Sequence, residues 1–127
     1  MSAGIVIFAH GSSVPAANDA VRTVARAAAG KGAYTHVQVA FLEAHPALDE
    51  AVSHLAAEGV NRVLVVPYFL TLGIHLQRDL PGMVEEIRKA HPGVDIRVTP
   101  PLDGHPALAQ ILCERADAAL SDWQEKG

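Results

Sequence analysis

The chain of 127 residues contains a single cysteine, Cys113, so it can neither close an internal disulfide nor build a cysteine-based zinc knot. A lone thiol suits a reducing compartment, and a cytoplasmic protein is expected. Charged residues make up only 19% of the chain and aromatic ones 5%. No basic run occurs, and 10 Lys and Arg against 14 Asp and Glu leave a formal charge of -4, which argues against a nucleic-acid surface. The same sign repels an anionic ligand, which would need local basic groups or helix N-termini to bind. Long apolar runs are missing as well. The longest, residues 63–74, is broken by Pro67, Thr71 and Gly73 and is too short to span a bilayer, so no membrane partner is expected. Met1-Ser2-Ala3 carries no basic segment, so no secretory signal is expected. The Walker loop, the Gly-x-Gly-x-x-Gly fingerprint and the Gly-x-Ser-x-Gly elbow are all absent.

What is present is a compact α/β pattern. Half of the residues are hydrophobic, and the length suits one domain spanning residues 1–127. Four β-rich runs, at residues 4–9, 35–41, 61–69 and 95–99, alternate with helix-length segments at 14–29, 46–58, 80–90 and 106–122. Such alternation predicts a three-layer α/β/α fold around a four-stranded parallel sheet with right-handed crossovers. The third run is apolar almost throughout and reads as a central strand, whereas the alternation of Val37, Val39 and Phe41 with Gln38 and Ala40 fits a strand nearer an edge. Gly59 and Gly93 read as helix stops. The last helix would bury Leu108, Ile111, Leu112 and Leu120, with Cys113 as a small core residue. His45-Pro46-Ala47-Leu48 returns as His105-Pro106-Ala107-Leu108, which helix-start chemistry explains if each proline takes the first helical position.

The chemistry concentrates where strands end. His10 follows the first run and opens His10-Gly11-Ser12-Ser13; His75 follows the third through Thr71-Leu72-Gly73-Ile74. In a parallel sheet both imidazoles leave the carboxyl edge, where open α/β sheets keep their ligands. Glu43, just past the second run, reaches the same rim, so His10, Glu43 and His75 could converge from three loops. Two imidazoles and a carboxylate suit a divalent first-row metal or proton transfer near neutral pH. Ser12 or Ser13 can cap the next helix, and the amides there could receive a carboxylate. Asp79 and Pro81 suit a helix start; Arg78 could pair with Asp79 or bind a substrate carboxylate; His105 opens the last helix on the same rim. A phosphoryl-transfer enzyme with His10 as nucleophile remains open, although histidine phosphatases have arginine directly before the His-Gly and here that residue is Ala9.

Taken in order, Ala9-His10-Gly11-Ser12, the stretch 37–43 with a proline-led helix behind it, Val66-Pro67-Tyr68-Phe69-Leu70, Gly73-x-His75, Asp79-Leu80-Pro81 and the stretch 101–106 resemble the short form of the class II tetrapyrrole chelatases, the sirohydrochlorin chelatase family. The resemblance implies a flavodoxin-like half-lobe that dimerises with a second copy. It further implies insertion of Co2+, Fe2+ or Ni2+ into sirohydrochlorin or a related tetrapyrrole without ATP, the metal being substrate and no cofactor being held permanently. By position it makes His10 and His75 the metal-handling histidines and Glu43 their acidic partner. Ser12, Ser13, Arg78 and His105 are expected, apart from the resemblance, to meet the substrate. Ser13 departs from the basic residue that the family often carries after His-Gly-Ser, and Leu102-Asp103-Gly104 replaces a more usual Leu-Gly pair. A non-catalytic metal or tetrapyrrole carrier using the same pocket is the alternative.

Overall fold

In the computed structural model, which describes residues 3–32 and 34–126, strands and helices alternate strictly along the chain. They are β1 (Ala3–Ala9), α1 (Pro15–Lys31), β2 (Val37–Phe41), α2 (Leu48–Ala57), β3 (Arg62–Pro67), α3 (Ile74–Ala90), β4 (Asp95–Val98) and α4 (Ala107–Lys126). All pairings are parallel, and the sheet order is β2-β1-β3-β4. The apolar third run is therefore central and the alternating second run lies at an edge, as the pattern predicts. The leader expectation at Met1 and Ser2 falls outside the described residues.

One face of the sheet is closed. Val6, Phe8, Val63, Val65 and Ile96 pack against Leu48, Val52 and Leu55 of α2 and against Leu80, Val84 and Ile87 of α3. The other face carries Ile5 and Ile7, in register with Val37 and Val39 on one side and Leu64 and Val66 on the other. α1 covers its β2 side, where Arg22 lies 5.4 Å over the Phe41 ring. Toward β4 the cover ends, and Leu64 remains 39% exposed.

α4 departs from its expected place. None of residues 107–125 is buried, and Ile111, Leu112, Leu120 and Trp123 are between 49% and 71% exposed. Cys113 is exposed too, which corrects its reading as a core residue. The stripe is real, but the chain offers it no surface to bury against.

Two helix boundaries also differ from expectation. α3 starts at Ile74 with Gly73 as N-cap, six residues before the predicted start at position 80, and Pro81 lies inside the helix. Gly59 adopts φ +89° after α2, and the bonds Gly59 N–H to Ala56 O (3.0 Å) and Val60 N–H to Leu55 O (3.1 Å) close a Schellman ending, as foreseen. Gly93 has no such φ; α3 ends at His91 with Pro92 behind it. Neither proline of the repeated tetrapeptide occupies the first helical position. Pro46 follows a cis bond two residues before α2, and Pro106 immediately precedes α4.

Candidate metal-handling site at the carboxyl edge of the sheet

The strand ladder does not stop where the strands do. Leu42 and Glu43 donate their N–H groups to Ala9 O (2.9 Å) and His10 O (2.8 Å), and Tyr68 donates to Phe8 O (2.6 Å). Leu102 and Asp103 likewise donate to Phe69 O (3.0 Å) and Leu70 O (2.7 Å). The loops at the rim are thus paired backbone to backbone, which fixes the side chains they carry. Gly11 makes the first turn possible. It adopts φ +86°, and a Cβ there would stand 3.0 Å from the Phe41 Cβ.

The first two predicted residues meet. His10 Nε2 lies 3.7 Å from Glu43 Oε2, and both side chains are more than half exposed. His10 Nδ1 lies 3.0 Å from Gly11 O. A carbonyl can only accept, so Nδ1 carries the proton in the neutral ring and Nε2 keeps its lone pair toward Glu43. In this tautomer Nε2 is the nitrogen able to ligate a metal.

His75 is not brought into that pair. It sits in the first turn of α3, exposed, with Nδ1 3.3 Å from Arg78 Nη2. A guanidinium can only donate, so the neutral His75 ring carries its proton on Nε2. Arg78 also reaches Asp79 Oδ1 at 3.1 Å, the surface pair the sequence suggests. Among the described residues no group of three His, Cys, Asp or Glu side chains could hold a metal ion.

The remaining candidates mostly serve the backbone. Ser12 Oγ accepts from Val14 N–H at 3.0 Å. Ser12 N–H is taken by Asn18 Oδ1 (2.9 Å) and its carbonyl by Asn18 Nδ2 (2.8 Å), so that amide is not open to an anion. Asn18 is a residue the sequence reading missed; only its place one turn into α1 could have suggested it. Ser13 is exposed on the same turn. His105 Nδ1 accepts from Ala107 N–H at 3.0 Å, capping α4 and leaving its proton on Nε2.

The rim is also apolar. Val14, Leu42, Leu70 and Ile74 are 57%, 37%, 67% and 81% exposed, and all four lie in the segments that leave β1, β2 and β3. A sparse donor set beside an exposed apolar surface suits a flat hydrophobic ligand better than a structural ion.

A family model described as CbiX matches residues 4–119. The chain is 30% identical to the sirohydrochlorin cobaltochelatase of Methanopyrus kandleri, over 93% of this chain and 97% of that protein. It is 31% identical to the chloroplastic sirohydrochlorin ferrochelatase of Arabidopsis thaliana, over 93% of this chain and 53% of that one. Among solved structures, a CbiX protein from Marinobacter aquaeolei superposes with a TM-score of 0.86 at 30% identity, covering 98% of this chain and 99% of that one.

Proposed function

The chain belongs to the CbiX family, and from that premise we propose that it is a sirohydrochlorin chelatase, a lyase-type enzyme that places Co2+, Fe2+ or Ni2+ into sirohydrochlorin or a related tetrapyrrole without ATP. The observation that carries the reading is the His10–Glu43 pair, a bare imidazole nitrogen 3.7 Å from a carboxylate on an exposed apolar rim.

Metallation removes two pyrrole N–H protons and strips water from M2+. His10 Nε2 is placed to hold the metal, and Glu43 to take the first proton as the metal leaves for the ring. His75 handles the metal and the second proton. Arg78 holds its Nδ1 at 3.3 Å in the resting site. When Arg78 turns to a substrate carboxylate, that nitrogen becomes free to accept a proton or to ligate the metal. Val14, Leu42, Leu70 and Ile74 seat the macrocycle face, and Ser13 and His105 flank it. A set of few donors binds loosely, which is what an enzyme that must surrender its metal needs.

The fold also favours a homodimer. A 20-residue helix with no buried side chain among its described positions 107–125 gains almost nothing from folding alone. The same chain leaves Leu64 uncovered on the sheet face next to β4. A second copy supplies both missing surfaces, and the two rims then enclose a tetrapyrrole between them. Among the described residues no helix is long and apolar enough to cross a membrane; a cytoplasmic site of action is part of the proposal and rests on the lone thiol.

The test is the absorbance of sirohydrochlorin mixed with Co2+, Fe2+ or Ni2+. Metallation should be catalysed by the native chain and fall at least about 100-fold in His10→Ala, the range expected for a lost metal or proton-transfer group. Equal rates with and without protein would overturn the reading, and a ligand-induced spectral change without turnover would make the chain a carrier.

A further inference from the structure

The imidazoles at the carboxyl rim fall into two classes. In the neutral ring His75 and His105 accept at Nδ1 and present a protonated Nε2 to solvent, whereas His10 donates from Nδ1 and presents a bare Nε2. His45 joins the second class. Its Nδ1 lies 2.6 Å from Glu50 Oε1, and a carboxylate can only accept, so the ring keeps its lone pair on Nε2. The side chain is 85% exposed. A carboxylate behind an imidazole is the arrangement that orients ligating histidines and raises their basicity.

The backbone puts this second ready imidazole on the same turn as Glu43. Residues 42–46 form one short turn, pinned at its start by Glu43 N–H to His10 O (2.8 Å) and at its end by Phe41 N–H to Pro46 O (2.8 Å). Glu43 and His45 are therefore two residues apart on a loop with both ends fixed to the sheet. Glu50 is fixed as well, because the same Oε1 accepts from Ala47 N–H at 3.2 Å at the start of α2.

We propose that His45, oriented by Glu50, is a metal-entry ligand that captures the divalent metal from solvent and passes it to His10 and Glu43. The assignment rests on the chelatase reading and deepens it. With no three-donor group among the described residues to store an ion, successive one- and two-donor stations can still raise the local metal supply. Transfer along them breaks no covalent bond and needs no co-reactant.

A helix-cap role alone would give His45→Ala a lower melting temperature and nothing else. The entry role gives a different signature. At saturating Co2+ the variant should keep its kcat, while its KM for Co2+ rises on the order of tenfold, with a smaller rise in Glu50→Gln. His54→Ala, on α2 away from the loop, should leave both parameters unchanged. The second measurement needs no turnover: substoichiometric Co2+ added to the native chain should broaden the ring resonances of both His10 and His45. Unchanged metal dependence in an active His45→Ala enzyme, or broadening at His10 without His45, would overturn the entry role and leave the chelatase reading standing. A native chain that broadens both rings yet metallates nothing would instead sink the chelatase reading and keep the metal station.

Discussion

Glu50 ties helix start and rim chemistry together through one oxygen. Its carboxyl is held below the ordinary value of 4.5, chiefly by the hydrogen bond from His45 and then by the Ala47 backbone. A carboxylate lowered by folding stabilises the native state above its unfolded value and loses that contribution as pH falls through the folded one. Denaturation midpoints should therefore decline as pH drops below about 4.5, and Glu50→Gln should lower the midpoint at pH 7, flatten that part of the curve and converge with the native chain in acid. Gly11 is the other residue on which the rim depends. Its φ of +86° alone makes Gly11→Ala cost about 1–2 kcal/mol, and the 3.0 Å approach to Phe41 adds to that. Chemical denaturation measures the first effect, and loss of metallation with retained fold reports the displaced His10. His10 and Glu43 could be read from the sequence because each lies within two residues of a strand end. His45 could not, because the repeated His-Pro-Ala-Leu suggested only a proline-led helix, and the Glu50 partner becomes visible only when α2 turns back on the loop.

Elements were legible to the extent that their own period and punctuation decide them. The four strands lie where β-branched runs fall, and the edge or central character of β2 and β3 follows from alternation against continuous apolarity. Phe8, fully buried against Phe69 with ring centroids 6.0 Å apart, carries the closed face; Phe8→Ala should cost about 3–5 kcal/mol in urea titration. The start of α3 was not legible. Proline is common at a first helical turn, so Pro81 masked the true start at Ile74. Its side chain is exposed, while Leu80, Val84 and Ile87 hold the helix to the sheet. That shift matters chemically, since it moves His75 from a loop into a helical turn one step from Arg78. For α4 the stripe was legible and its partner was not, because periodicity says which side of a helix is apolar and nothing about what lies opposite. Leu112→Asp, at a position 70% exposed, should leave the circular dichroism of the body intact and shift the sedimenting species from two copies to one.

For the molecule as a whole, charge sets how a carboxylate-bearing ligand approaches. A formal charge of -4 repels it, and Arg78 places a guanidinium beside the rim histidine His75. Raising ionic strength from about 10 to 150 mM shortens the screening length, so the KM for the tetrapyrrole should fall with salt in the native enzyme. In Arg78→Ala the KM should be higher at every salt concentration. Choice among cobalt, iron and nickel is not written in the rim, since all three accept imidazole and carboxylate. α4 has a consequence of another kind. If α4 takes its cover from a second copy, as proposed, folding becomes a second-order event, and the melting temperature should climb with the logarithm of protein concentration. Dilution would then do to this enzyme what heat does to others, and its activity would depend on how much of it is made.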